Sequence, residues 1–533
     1  MNEKNPSPAL PEHISRTVGR EAQKNNILAA RIIADIVKTT LGPKGMDKLL
    51  VDRAGNTIVT NDGVTILEEM EIDHPAAKMM VDIAKTQENE VGDGTTTVAL
   101  LAGKLLEHAE KLLDRNIHPT LIVKGYKLAT EKSLDILNNL ANSVADRKIL
   151  EQIAATAMTG KGAEGHREKL ANLIVDAVDS VAQGKEISLN DIKIQKVKGG
   201  GIQDSELIEG ITIDKERANI EMPEKIEYAK ILIIDFSLEI KNPESEAKIS
   251  VSSPDQLQSF LAAEESYLRE LSERIISSGA NVVICQKGID DVVQYYLAKK
   301  GILAFRRVSK SDMEKIARAT SGKIISTIQD IYQTHLGKAR VVEELKNSED
   351  SITYIRGCEN PRAVTLVIHG STEQGLDEME RAIKDGLGNV IASVKSGKIV
   401  AGGGAVEIEV AKQLRSFSKT VGGREQLAID SFANSLEAIP ETLAENAGLD
   451  PIEVITELKK QHEAGYKNYG LNLFNNSIED TLLAGIVEPL KVKTQAIISA
   501  AEVATIILRI DDVLMSKDSV QRGGNNSAYK DLD

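Results

Sequence analysis

Tryptophan is absent from this chain, and aromatic residues make up only 3% of its 533 residues. Stacking platforms for single-stranded nucleic acid need aromatic faces, so that function class is disfavoured from the start. Positive charge is in deficit as well. The formal net charge is −15, which argues against sequence-independent binding to a phosphate backbone. Cysteine occurs only at Cys285 and Cys358, in no CxxC pair and at no metal-ligand spacing to histidine. That leaves no disulfide framework and points to a reducing compartment. The longest apolar runs, such as Val503–Leu508, are far too short to span a bilayer. The opening MNEKNPSPALPEHISR lacks an apolar signal segment. The expectation is a cytoplasmic protein with no nucleic-acid or membrane partner.

A Walker A loop is also missing: TGKGAEG, QGKEI, LGKAR and SGKIV all fail the GxxxxGK[ST] pattern. Gly160 to Gly165 spells GxGxxG, but the preceding ILEQIAATAMT is helical in pattern, whereas a dinucleotide fingerprint follows a strand. A glycine-rich link between two helices fits better, which weakens the reading as a nicotinamide-dependent enzyme.

What is present is a chain long enough for several domains. The first ~20 residues are polar and read as loosely ordered. A helix follows, with Ile32, Ile33, Ile36 and Val37 on one stripe. NTIVTNDGVTIL, residues 56–67, reads as a β-hairpin turning at Asn61-Asp62-Gly63. Val98, Leu101, Leu105, Leu106, Ala109 and Leu112 keep helical spacing, and helical patterns continue to about Ala182. The middle third mixes strands and helices, with KEISLNDIKIQKVK and AKILIIDFSLEI strand-like. From Ala433 onward the chain is mostly helical, apart from turns and short strands in 465–480. Residues 242–279 open polar and become a helix with Ser253 at the N-cap and Pro254 first. Its stripe of Leu257, Phe260, Leu261, Leu268, Leu271 and Ile275 suits either ordinary packing or a protruding element that meets a partner.

The densest chemistry is GDGTTT, residues 92–97. Two glycines let the backbone adopt unusual angles and leave no side chain in an approaching group's way. The threonines open a long helix, where unpaired N–H groups and the helix dipole favour an anion. Asp93 beside polyphosphate requires an intervening cation, and Mg²⁺, which takes one or two carboxylates plus phosphate oxygens, is suited to that. A glycine turn with a threonine N-cap explains the same letters, and the motif alone leaves both readings open. TLGPKG, the turn aspartate Asp62, the Gly402–Gly404 run in VAGGGAVE, and Asp385 in RAIKDGLGNVIASV each have an ordinary explanation singly.

In this order and spacing, these fragments resemble the group II chaperonins of the archaeal thermosome type. TLGPKGMDKLL, NDGVTIL, HPAAKMM, GDGTTT, SPDQLQSFL, GANVVICQKGIDD, SDMEKIARATSG, AGGGAVE and EPLKVKTQAI carry the resemblance across nearly the whole chain. It implies a multidomain α and α/β fold. A mainly helical equatorial ATP-binding domain would span 1–148 and 402–533, and a small α/β intermediate domain 149–216 and 368–401. An α/β apical domain for client binding would span 217–367, with a helical lid protrusion at about 242–279. The resemblance further implies homo- or hetero-oligomeric double rings of eightfold or ninefold symmetry, non-native protein clients, and ATP hydrolysis coupled to lid closure.

Residue by residue, the resemblance places Leu41, Gly42 and Pro43 in a nucleotide-contacting loop. Asp93 becomes the Mg²⁺ ligand, with Gly94, Thr95, Thr96 and Thr97 around the phosphates. Asp385 orients the attacking water, with Asp62 as its partner near the γ-phosphate, and Lys161 senses that phosphate. Gly403 and Gly404 make backbone contacts, while Asn472 and Glu488 lie near base and ribose. There are departures: the chain ends QRGGNNSAYKDLD rather than in a Gly- and Met-rich tail, and Lys395 and Ser396 stand where relatives often have acids. A scaffold that binds ATP but folds nothing is the competing reading; a water-positioning acid favours the chaperone.

Overall fold

The structure, a computed structural model, describes residues 14–51, 55, 57–144, 146–161, 164–182, 187–240, 254–346, 351–359 and 361–516. The chain divides into two compact units. Both chain ends contribute to the first, which takes Met1–Ala141, Val400–Ile486 and Leu490–Asp533.

The Thr95–Asp114 helix is the centre of that first unit. Val98, Ala99, Leu100, Leu101, Leu105 and Leu106 are all fully buried, so the helix is apolar on nearly every side and needs neighbours all round. Helices Gly19–Lys38, Glu425–Asn446 and Leu490–Leu508 supply them. Each leucine so buried contributes about 1.5–3 kcal/mol relative to exposure. Gly103 permits the closest approach: a Cβ there would lie 2.3 Å from that of Ala34. The fully buried Tyr126, on helix Pro119–Leu140, donates its hydroxyl to the Leu105 carbonyl at 2.7 Å and sets its ring edge-on to Phe432.

Two local readings of the sequence are corrected here. Residues 14–18 are not loosely ordered: Ile14–Val18 pairs antiparallel with Asp512–Ser516, and Arg16 bridges to Asp512 at 2.6 Å. The hairpin at 56–67 is also different. Strand Thr57–Thr60 pairs backward with Lys48–Val51, and Gly63–Glu69 is a helix. Asp62 is its N-cap, accepting from the Thr65 N–H at 2.9 Å and the Thr65 hydroxyl at 2.6 Å. An Asn-Asp-Gly run serves a helix start as readily as a turn, because the carboxylate satisfies orphan N–H groups in either. In the first helix the buried face is Ile27, Ala30, Ile33, Ala34 and Val37, whereas Ile32 is 50% exposed.

The second unit, Asn142–Ile399 with Val487–Pro489, mixes sheet and helix. Its larger sheet runs, in order, Leu303–Phe305, Val282–Cys285, Lys225–Ile234, Gly337–Lys346, Ser351–Arg356 and Gly210–Ile213. The first three strands are mutually parallel and the rest antiparallel. Val282–Cys285 and Leu303–Phe305 are buried at every position, as befits strands covered on both faces. A smaller sheet sets Val364–Gly370 between Ile192–Lys198 and Glu206–Ile208. Helix Glu373–Ser396 packs beside it, against Arg147–Ala157 and Arg167–Val181.

Helix Pro254–Ser277 buries Leu268, Leu271 and Ile275, but Phe260 and Leu261 are 39% and 54% exposed. Three residues of the expected stripe therefore pack, and Phe260 and Leu261 face out. Ser253 and the rest of 241–253 lie outside the described residues, as does the chain after 516. Burial pushes the thiols of Cys285 and Cys358 up to about 12, so neither is poised as a nucleophile at neutral pH. Among the described residues no helix is long and apolar enough to cross a membrane.

Candidate functional site

Helix Pro75–Val91 stops because Gly92 adopts a left-handed conformation, φ +74°. Two residues later Gly94, at φ +83°, begins helix Thr95–Asp114. Gly94 itself is the N-cap, which corrects the alternative of a threonine N-cap: Thr95 is already the first helical residue. A glycine cap has no side-chain acceptor, and none caps this helix. The first N–H groups of this 20-residue helix therefore have no acceptor from the cap residue itself. A side chain at Gly94 would crowd its neighbours, since a Cβ there would lie 3.0 Å from Gln87 Nε2 and 3.1 Å from Val492 Cγ1. Asp93 between the glycines is half-buried, and its Oδ1 accepts from the Gly94 N–H at 2.6 Å.

Two further segments converge on these threonines. Asp62 Oδ1 accepts from the Thr95 hydroxyl at 3.3 Å. Gly63 lies so close that a Cβ there would meet Thr96 Oγ1 at 2.6 Å and the Thr96 nitrogen at 3.0 Å. From the other side Thr40 Oγ1 lies 3.4 Å from Thr96 Oγ1, which brings in the loop of Leu41, Gly42 and Pro43. That loop is pinned by Asn446, whose amide donates to the carbonyls of Lys38 at 3.1 Å and Leu41 at 2.9 Å. Gly42, φ +82°, cannot carry a side chain, because a Cβ would fall 2.3 Å from Leu443 Cδ2.

Gly403 and Gly404 both have positive φ, and Gly404 is the N-cap of helix Ala405–Ser418. Here too no side chain caps the helix. The Leu471 N–H donates to the Gly403 carbonyl at 2.8 Å, seating strand Tyr469–Asn472 against the loop. Asn472 is buried and already occupied: its amide donates to Glu479 at 2.5 Å and its Oδ1 accepts from the Phe474 N–H at 2.9 Å.

Asp385, Lys161 and Glu488 belong to the second unit. Asp385 lies on helix Glu373–Ser396 and is only 6% exposed, where a lone helical acid normally faces solvent. Lys161, just beyond the Arg147–Ala157 helix, makes a close charge-assisted hydrogen bond to it. Gly386 keeps the helix close to its neighbour, since a Cβ would meet Ile174 Cδ1 at 2.7 Å. Glu488 is half-buried on strand Val487–Pro489.

No cluster of three or more metal-ligating side chains occurs among the described residues. A Mg²⁺ ion held with nucleotide needs none, because phosphate oxygens and water complete its shell around one or two carboxylates. Asp93 beside a glycine-capped helix start fits that demand. Sequence reasoning did not find Gln87, whose amide donates to the Asp93 carbonyl at 2.9 Å, nor the buried Lys493–Glu407 pair at 2.9 Å. Neither stands in a local motif.

Residues 33–518 match the TCP-1/cpn60 chaperonin family. A thermosome subunit of Methanopyrus kandleri is 54% identical over 515 residues, covering 96% of this chain and 94% of the relative. The thermosome subunit beta of Archaeoglobus fulgidus is 52% identical over 522 residues, 97% of this chain and 96% of the relative. A thermosome subunit of Pyrococcus horikoshii is 51% identical over 538 residues, 98% of both.

Proposed function

The chain belongs to the TCP-1/cpn60 chaperonin family as a group II, thermosome-type subunit, an ATP-dependent chaperone of a double-ring complex, and on that premise we propose that it hydrolyses ATP at the Asp93–Thr97 helix start. The supporting observation is the convergence there of a glycine-capped helix terminus, the Asp93 carboxylate, Asp62 and the Leu41–Pro43 loop. In this reading Asp93 ligates Mg²⁺, which neutralises phosphate charge when bound. Gly94 and Thr95 to Thr97 donate to phosphate oxygens through N–H and hydroxyl groups. Leu41, Gly42, Pro43, Gly403 and Gly404 line the nucleotide with backbone. Glu488 and Asn472 flank the base and ribose, and Asn472, whose amide holds its own turn, contributes backbone.

Asp385 orients water, with Asp62, for attack on the γ-phosphorus; the bond to the β–γ bridging oxygen breaks, and the water proton passes to Asp385. Lys161, bound to Asp385 in the present structure, turns to the γ-phosphate. In this proposal hydrolysis is coupled to lid closure, a gating step. The three-domain layout is part of the same proposal: equatorial 1–148 and 402–533, intermediate 149–216 and 368–401, apical 217–367. So are the cytoplasmic location, the homo- or hetero-oligomeric ring of eightfold or ninefold symmetry, and non-native clients.

The outward-facing Phe260 and Leu261 fit a helix whose outer half meets something other than its own unit. We assign it to the lid. Deleting 245–269 is expected to leave ATP hydrolysis near the parent rate and to abolish protection of an enclosed client from added protease. Continued protection would contradict the lid, while loss of hydrolysis in the full-length ring would remove the chaperone reading in favour of a passive scaffold.

A further inference from the structure

The first turn of helix Leu490–Leu508 touches both glycine-rich segments through two successive residues. At Val492 it is the carbonyl: Gln87 Nε2 donates to it at 3.3 Å while donating to the Asp93 carbonyl at 2.9 Å. At Lys493 it is the side chain, whose ammonium bridges to Glu407 Oε1 at 2.9 Å. Glu407 lies in the first turn of helix Ala405–Ser418, three residues after Gly404. One turn of helix therefore holds the Asp93–Gly94 corner on one side and the Gly402–Gly404 loop on the other. A cavity of about 10 Å³ beside the pair is lined by Thr97, Glu407 and Lys493, among others.

Stability alone gives little reason for these side chains. Gln87 is fully buried, and with its NH₂ committed to two carbonyls its Oε1 has no hydrogen-bond partner. Glu407 is 4% exposed, and its Oε2 likewise has none. Orphaned buried oxygens cost free energy, and a buried ion pair often contributes less than apolar side chains of the same shape. A methionine at 87 would avoid the orphaned amide oxygen, at the cost of the donor to the Asp93 and Val492 carbonyls. What it could not do is hold the Asp93 carbonyl.

We propose that Gln87 and the Lys493–Glu407 pair are positioning residues, and that the first turn of the Leu490–Leu508 helix is the crossbeam setting the two nucleotide loops in register. The inference rests on the nucleotide reading above and adds that the two loops are energetically coupled through this helix. Gln87 fixes the peptide that aims the Asp93 carboxylate and the Gly94–Thr95 N–H groups. Lys493 and Glu407 fix the start of the helix that follows Gly404.

The test uses the full-length ring with Mg-ADP as probe. Gln87→Met is expected to weaken Mg-ADP binding about tenfold, the scale of one buried hydrogen-bonding role. It should also raise the Mg²⁺ concentration needed for half-maximal binding. The paired variant Glu407→Gln with Lys493→Met removes both charges of the pair together. Its effect on Mg-ADP affinity should be non-additive with that of Gln87→Met. Unchanged affinity in Gln87→Met, a fall in thermal midpoint alone, or strictly additive effects would each overturn the crossbeam while leaving the nucleotide site standing. A parent ring that binds no Mg-ADP would overturn the nucleotide reading, and the crossbeam with it.

Discussion

Asp385→Ala is expected to bind ATP as the parent does and to lose most of its turnover, about 10²- to 10⁴-fold in kcat, the usual worth of a positioned acid–base group. Several observations lead there. Asp385 is 6% exposed on a helix where an acid has no packing reason to be buried. It is held by Lys161, a cation that a γ-phosphate can compete for. It is also absent from the set of groups gathered at the helix start, Asp93 and the threonines, which are left to bind. Affinity and rate should therefore separate, as they do when a lost interaction exists only in the transition state. Asp385→Asn keeps the shape and a hydrogen-bond acceptor for Lys161, so it distinguishes lost proton acceptance from local disorder and should be nearly as slow. Single-turnover hydrolysis with radiolabelled ATP, beside equilibrium binding, reads both quantities. Parent-like turnover in Asp385→Ala would remove the assignment.

Asp93→Ala should fail earlier, at binding. With the carboxylate gone, the glycine-capped helix start still attracts phosphate, but the ligand proposed to hold Mg²⁺ is missing. We expect Mg-ATP affinity to fall by roughly 100-fold, the equivalent of about 3 kcal/mol, and hydrolysis at any practical ATP concentration to vanish. The dependence on Mg²⁺ should flatten too, because the residual binding is to free nucleotide. A variant that binds Mg-ATP normally would mean that the ion is held elsewhere.

How much of this could be read from the letters differs from element to element. The core of helix Thr95–Asp114 was legible because apolar spacing at 98, 101, 105, 106, 109 and 112 survives any choice of neighbours. So was GDGTTT, because two glycines around an acid are costly unless the backbone needs them. The turn at Asn61-Asp62-Gly63 was misread because the same three residues suit a hairpin or a helix cap. What decides is a tertiary contact, Gly63 against Thr96. The burial of Asp385 carries no local sign, since the helix pattern around it is the same whether the acid faces water or Lys161. Gln87 could not have been found, because its partner Val492 lies 405 residues away. The Phe260–Leu261 end of the long stripe shows the converse: the period was right, but a period does not reveal that Phe260 and Leu261 stay exposed while Leu268, Leu271 and Ile275 pack.

Where the metal sits decides the mechanism most directly. The measurement is an experimental structure of the ring with a nonhydrolysable ATP analogue and Mn²⁺ replacing Mg²⁺, the ion located by its anomalous signal. The ion should lie about 2.1 Å from an Asp93 carboxylate oxygen, with phosphate oxygens completing its shell and the Thr95–Thr97 N–H groups facing the phosphates. Nucleotide bound away from Gly94, or an ion with Asp93 turned from it, would contradict the account at its root.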